Sequence, residues 1–131
     1  MPNRAIEFHD STLDSVHQQG NDITLRFSAA YIHESSGKPG VDAGSGWVQE
    51  ALLHVRGGSV TGEIRELPCD VSSGNLRLGG QSLEMIPVPL DYDGEVEISV
   101  EQDGAMLITG TRVRLELVGT PRYVEEFPGH R

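Results

Sequence analysis

One cysteine, one tryptophan and no long apolar run: these scarcities bound the chain before any motif is sought. With Cys69 alone, no intramolecular disulfide forms, and nothing accompanies it as a zinc-knuckle or redox motif requires. Cys69 reads as an inert thiol in a Pro68-Cys69-Asp70 loop. The opening from Met1 to Asp14 carries Arg4, Glu7, Asp10 and Asp14 where a signal peptide has a continuous apolar stretch, and no segment approaches membrane-spanning length. A lone reduced thiol and no export signal give the expectation of a cytoplasmic protein with no membrane partner. Basic residues are scarce too: 10 Lys+Arg face 20 Asp+Glu, a net charge of −10 that repels the phosphate backbone of nucleic acid. Nucleic acid is therefore not an expected partner. Arg112 and Arg114 are the only close basic pair in the predicted strands, and Glu116 follows them. The acidity keeps the chain soluble, or equally suits a basic partner protein.

Helical periodicity is also missing, since no window of about twelve residues or more repeats apolar positions every 3.6, and no solenoid or propeller repeat is visible. Alternation stands in its place. Val96, Ile98 and Val100 alternate with Glu95, Glu97, Ser99 and Glu101, the period of a strand with one wet face. Gln102-Asp103-Gly104 turns the chain, and the return strand changes parity between Ile108 and Val113, which predicts a bulge or bend at Gly110. A second hairpin is predicted around Gln18-Gln19-Gly20-Asn21-Asp22, with Ile23, Leu25, Phe27, Ala29 and Tyr31 on one inward parity. A third joins 47–55 to 59–66 through Arg56-Gly57-Gly58, and a fourth turns at Gly79-Gly80.

Ser35 to Gly46 is read as one long loop, and Pro87 and Pro89 hold Ile86 to Leu90 extended as an edge strand or crossover. His9-Asp10-Ser11 offers cap-type side chains for a short helical turn over Asp10 to Leu13. The sum is a single all-β domain over 1–131: an antiparallel β-sandwich or flattened barrel of about eight to ten short strands, with little or no helix.

Each candidate site competes with a plainer structural role. Histidines occur at 9, 17, 33, 54 and 130, the first four in or beside predicted strands. No two share a face at i and i+2, and no glutamate is read beside them at ligand spacing, so no metal is expected. His33 follows Tyr31 on the inward parity, whereas His54 shares the other parity of its strand with Glu50. Phe8-His9-Asp10-Ser11 invites a hydrolase reading, but a triad needs spatial geometry, and neighbouring strand residues point to opposite faces. Asp10 and Ser11 are assigned cap or turn roles. Gly44-Ser45-Gly46 lacks the strand and helix of a nucleophile elbow, and Gly37-Lys38-Pro39-Gly40 leads into no helix that would cradle phosphate. Asp91-Tyr92-Asp93-Gly94-Glu95 resembles the start of a calcium loop without its remaining ligands, so Asp93-Gly94 is read as a turn. What remains is a patch beside the long loop, Tyr31, His33 and Trp47, extended by His9 and His54, where aromatic rings offer contact area at low entropy cost. The plainer alternative is that Trp47 anchors the core and Tyr31 lines its rim.

The opening Ile6-Glu7-Phe8-His9-Asp10-Ser11-Thr12-Leu13-Asp14-Ser15-Val16 resembles that of small bacterial all-β families, including the immunity protein 50 group. Gly110-Thr111 through Gly119, followed by Tyr123-Val124-Glu125-Glu126-Phe127, is similar to the way such proteins finish. The resemblance implies an all-β cytosolic protein without known enzymatic activity and, for the immunity group, toxin neutralisation by direct binding. It brings no catalytic residues.

The expectation is a non-enzymatic binding or interaction domain without cofactor or metal. It would engage a protein partner, or a second copy of itself through an uncovered sheet edge. The alternative is a small-molecule- or metal-dependent enzyme with a histidine-containing site at a sheet end, near His9, His33 and His54.

Overall fold

A computed structural model of the chain describes residues 2–128, so His130 lies outside the described residues. Ten strands follow in order: β1 (Asn3–Gln19), β2 (Asp22–Ser35), β3 (Gly44–Arg56), β4 (Ser59–Ile64), β5 (Cys69–Asp70), β6 (Ser73–Leu78), β7 (Gln81–Leu83), β8 (Met85–Val88), β9 (Asp91–Glu101) and β10 (Gly104–Phe127). All belong to one antiparallel sheet ordered β5-β1-β2-β3-β10-β9-β6-β7, with β4 on β10 and β8 on β1. The sheet does not close into a barrel. No helix is present among the described residues, and so none is long and apolar enough to cross a membrane.

The expected alternation holds where it was clearest. Val96, Ile98 and Val100 are buried, as are Ile23, Leu25 and Phe27 of β2 and Ala51, Leu53 and Val55 of β3, and they join one core with Phe8, Leu13, Leu76 and Ile108. The Gln19/Asp22, Leu78/Gln81 and Glu101/Gly104 connections are hairpins as expected, and β8 is an edge strand paired only with β1.

The third hairpin does not form. β3 and β4 do not pair with each other; they lie end to end along β10, with Arg56 opposite Arg112 and Ser59 opposite Thr109. Gly57 takes a φ of 60°, and the Gly58 N–H donates to the Asn21 carbonyl at 2.8 Å, so the Gly-Gly step kinks the strand without reversing it. Gly110 sits opposite this kink, and the β9–β10 register shifts between Gly110 and Arg112, as the change of parity predicted. A Cβ at Gly110 would meet Val55 and lie 2.8 Å from the Arg56 carbonyl oxygen. Gly110→Val is therefore expected to cost about 1–3 kcal/mol by overpacking. Urea unfolding checks this, with Gly80→Ala as control, because nothing lies within 4 Å of a Cβ there.

Three further expectations change. Asp93-Gly94 is not a turn: β9 runs through it, and the Gly94 φ of 153° places a bulge opposite Thr111. Cys69-Asp70 is not a loop but a two-residue strand on Leu13 and Thr12. The long loop is shorter than read, because β2 and β3 zip as far as Ser35 opposite Gly44, leaving 36–43 as the connection. Gly44 and Gly46 have no side chains with which to announce a strand. Each is nevertheless required, since a Cβ at Gly44 would collide with the Glu34 carbonyl and one at Gly46 with the Tyr31 hydroxyl.

Candidate functional site

The segment expected to make a helical turn is an irregularity inside β1. Glu7 pairs with Tyr31 and Thr12 with Ala29, so residues 8–11 of β1 stand opposite Ala30 alone. Asp10 adopts a φ of 74°, a left-handed conformation that aspartate tolerates better than most residues. The excursion turns Phe8 and Ser11 inward and leaves His9 and Asp10 exposed. Ser11 is fully buried; its hydroxyl donates to the Glu7 carbonyl at 2.5 Å and accepts from the Tyr31 N–H at 2.9 Å. The hydroxyl proton is thus committed to the β1 backbone and one of its two lone pairs to the β2 backbone, which ties the irregularity to the neighbouring strand.

A second shift, between Phe27 and Ala30 in the β2–β3 register, reverses the parity of β2. Ala30 and Ile32, not Ala29 and Tyr31, enter the core, while Tyr31 and His33 face the side that carries Glu7. The inward parity assigned to Tyr31 and His33 is thereby overturned, because an extra residue in one strand exchanges its faces. Both side chains are still well covered, at 8% and 9% exposure, because the end of β10 lies over them. The His33 ring centroid is 5.1 Å from those of Tyr31 and Phe127, and the Tyr31 hydroxyl donates to Glu125 Oε1 at 2.6 Å.

His33 Nε2 lies 3.1 Å from Glu7 Oε1. A carboxylate can only accept, so Nε2 carries the hydrogen of this contact, and Nδ1 is buried without a partner. His33 also lines an apolar pocket of about 120 Å³ with Val41, Gly44 and Phe127.

Glu7, His9 and Asp10 each bring a ligand atom within 4.8 Å of the others. The expectation that no glutamate stands at ligand spacing beside a histidine fails here. Glu7 and His9 were visible at i and i+2, while Asp10 joins them only through the irregularity. The four strand-borne histidines do not converge. His9 and His33 flank Glu7, whereas His54 bonds Glu116 at 2.9 Å and approaches Thr24 at 3.3 Å, in the same cross-strand row as His17. Trp47 lies on the core side of β3, packed edge-on against Tyr123 at 5.4 Å with its indole N–H on Ser45, and so on the opposite face from Tyr31. Glu125 and Phe127 were missed in the sequence, since only the long-range β3–β10 register brings them beside Tyr31 and His33.

The Tyr31 phenol is held well above its usual range, first by burial, then by the hydrogen bond to Glu125 and the charges of Glu125, Asp10 and Glu7. Below the ordinary value of 10.0 the phenol is protonated in both the folded and unfolded chains, and its contribution is fully present. Above it the unfolded chain releases a proton that the folded one retains, so stability falls as pH rises. Tyr31→Phe is expected to shallow that alkaline decline, measured by denaturant unfolding at a series of pH values.

No family model, curated protein or solved structure matches the chain.

Proposed function

We propose that the chain is a non-enzymatic interaction domain that binds a cationic segment of a protein partner on the face formed by Glu7, Asp10, Tyr31, His33, Glu125 and Phe127. The observation that carries this reading is the set of three carboxylates around Tyr31, none of which meets a lysine or arginine among the described residues. Carboxylates free of internal cations suit a guanidinium, which takes charge-assisted hydrogen bonds along its planar edge. The net charge of −10 would steer such a partner toward the chain. On the resemblance of its opening residues to the immunity protein 50 group, the partner would be a toxin neutralised by direct contact. The lone thiol of Cys69, raised by burial and then by Asp70, fits a reducing cytosol.

Affinity capture from the native host, followed by mass spectrometry, tests this. The wild-type chain is expected to retain a stoichiometric partner, and the Glu7→Gln/Asp10→Asn double variant to retain roughly tenfold less or below. Recovery of no stoichiometric partner, together with turnover of a substrate by the purified chain, would end the proposal.

A second reading, a metal-dependent site, is favoured by the Glu7, His9 and Asp10 ligand atoms alone. Elemental analysis of protein purified without chelators or metal-affinity steps decides it. Near one metal per chain supports it, and less than about a tenth removes it, because genuine sites hold metal tightly.

A further inference from the structure

β10 is flanked on both sides only in part. β9 covers it from Ala105 to Arg114, and β3 covers the opposite flank from Arg112 to Phe127. The Leu115 N–H still reaches the Leu90 carbonyl at 2.9 Å, and beyond it no strand of this chain lies on the β9 side among the described residues. The open stretch is exposed from Gly119 to Glu126, with Tyr123 at 52% and Val124 at 44%. An uncovered edge of this kind presents unpaired N–H and C=O groups to any extended strand.

Three details say what fits there. Val124 is skipped by the β3 ladder, which passes from Tyr123 opposite Trp47 to Glu125 opposite Gly46. Arg122 makes no ion pair among the described residues. The sequence Arg122-Tyr123-Val124-Glu125-Glu126 is self-complementary when paired antiparallel about Val124, since Arg122 then faces the partner's Glu126, twice by symmetry. We infer that this edge joins two copies of the chain in an isologous dimer, β10 against β10, centred on Val124. The five residues from Arg122 to Glu126 match the usual length of a strand, about 5–6 residues. Pro121, which has no N–H to offer, closes one end of the ladder. The inference does not depend on the cationic-partner reading, whose variants lie on β1.

Sedimentation equilibrium over a range of concentrations tests it. The wild-type chain is expected to dimerise as concentration rises. Arg122→Glu, which sets like charges opposite one another, weakens the dimer by about tenfold or more. The swap Arg122→Glu/Glu126→Arg restores it. A wild-type chain that stays monomeric throughout, its edge then open to a strand from another protein, overturns the inference. So does a dimer indifferent to Arg122→Glu, or a swap that fails to rescue.

Discussion

Phe8→Ala is expected to lower the unfolding free energy by about 3–5 kcal/mol, the usual cost of emptying a buried aromatic site. Phe8 is 1% exposed, with its ring 6.1 Å from that of Phe27 on the neighbouring strand. It also reaches across to β6, where a Cβ on Gly74 would come within 2.7 Å of the Phe8 ring. β1 and β6 exchange no ladder pairs among the described residues, so in a sheet that does not close this side chain joins two distant parts of the strand order. A loss of that size is a large share of the roughly 5–15 kcal/mol that holds a domain folded. Urea unfolding followed by circular dichroism measures it, and Phe8→Leu is expected to recover part of the loss by refilling some of the volume.

Ser11→Ala is expected to cost about 1–3 kcal/mol, more than a surface serine would. The hydroxyl accepts from the Tyr31 N–H at 2.9 Å, and Ser11 is 0% exposed, so no water takes its place when it is removed. A buried donor left unpaired costs its full desolvation, whereas the lost oxygen itself matters little. The same substitution frees the Glu7 carbonyl from its contact with the hydroxyl, so the register of Glu7 against Tyr31 loosens with it. Denaturant unfolding reports the stability. On the proposed function, affinity for a cationic segment would fall in parallel, because Glu7 and Asp10 are held by that register.

These two positions show which parts of the molecule were legible in the sequence. Alternation from Glu95 to Glu101 named one face of β9, and the parity change around Gly110 named a bend, because apolar residues on both sides recorded the change. At His9-Asp10-Ser11 the same kind of change leaves no apolar trace. Three polar residues in succession read equally as a cap, a turn or an excursion, and only Asp10 in a left-handed conformation distinguishes them. Ser28-Ala29 hides the second parity change for a similar reason, since a small apolar residue suits either face. Gly44-Ser45-Gly46 pairs as strand because Glu34 and Tyr31 come too close for any Cβ at Gly44 or Gly46, a requirement that belongs to the neighbours and not to the tripeptide. Glu7 and His9 stand at i and i+2, a spacing legible in the sequence itself. Glu125 and Phe127 could not be placed beside Tyr31 and His33 without the β3–β10 ladder, in which Gly46 and Gly44 stand opposite them.

The face that gathers Glu7, Asp10, Tyr31 and His33 exists because β1 carries four residues where β2 carries one. Nuclear Overhauser contacts between the backbones of β1 and β2 test that most directly. The expected result is Glu7 opposite Tyr31 and Thr12 opposite Ala29, with residues 8–11 looping out of the ladder. An unbroken hairpin extended from Gln19 opposite Asp22 would instead set Glu7 against Glu34. Contacts of that second kind would contradict the account.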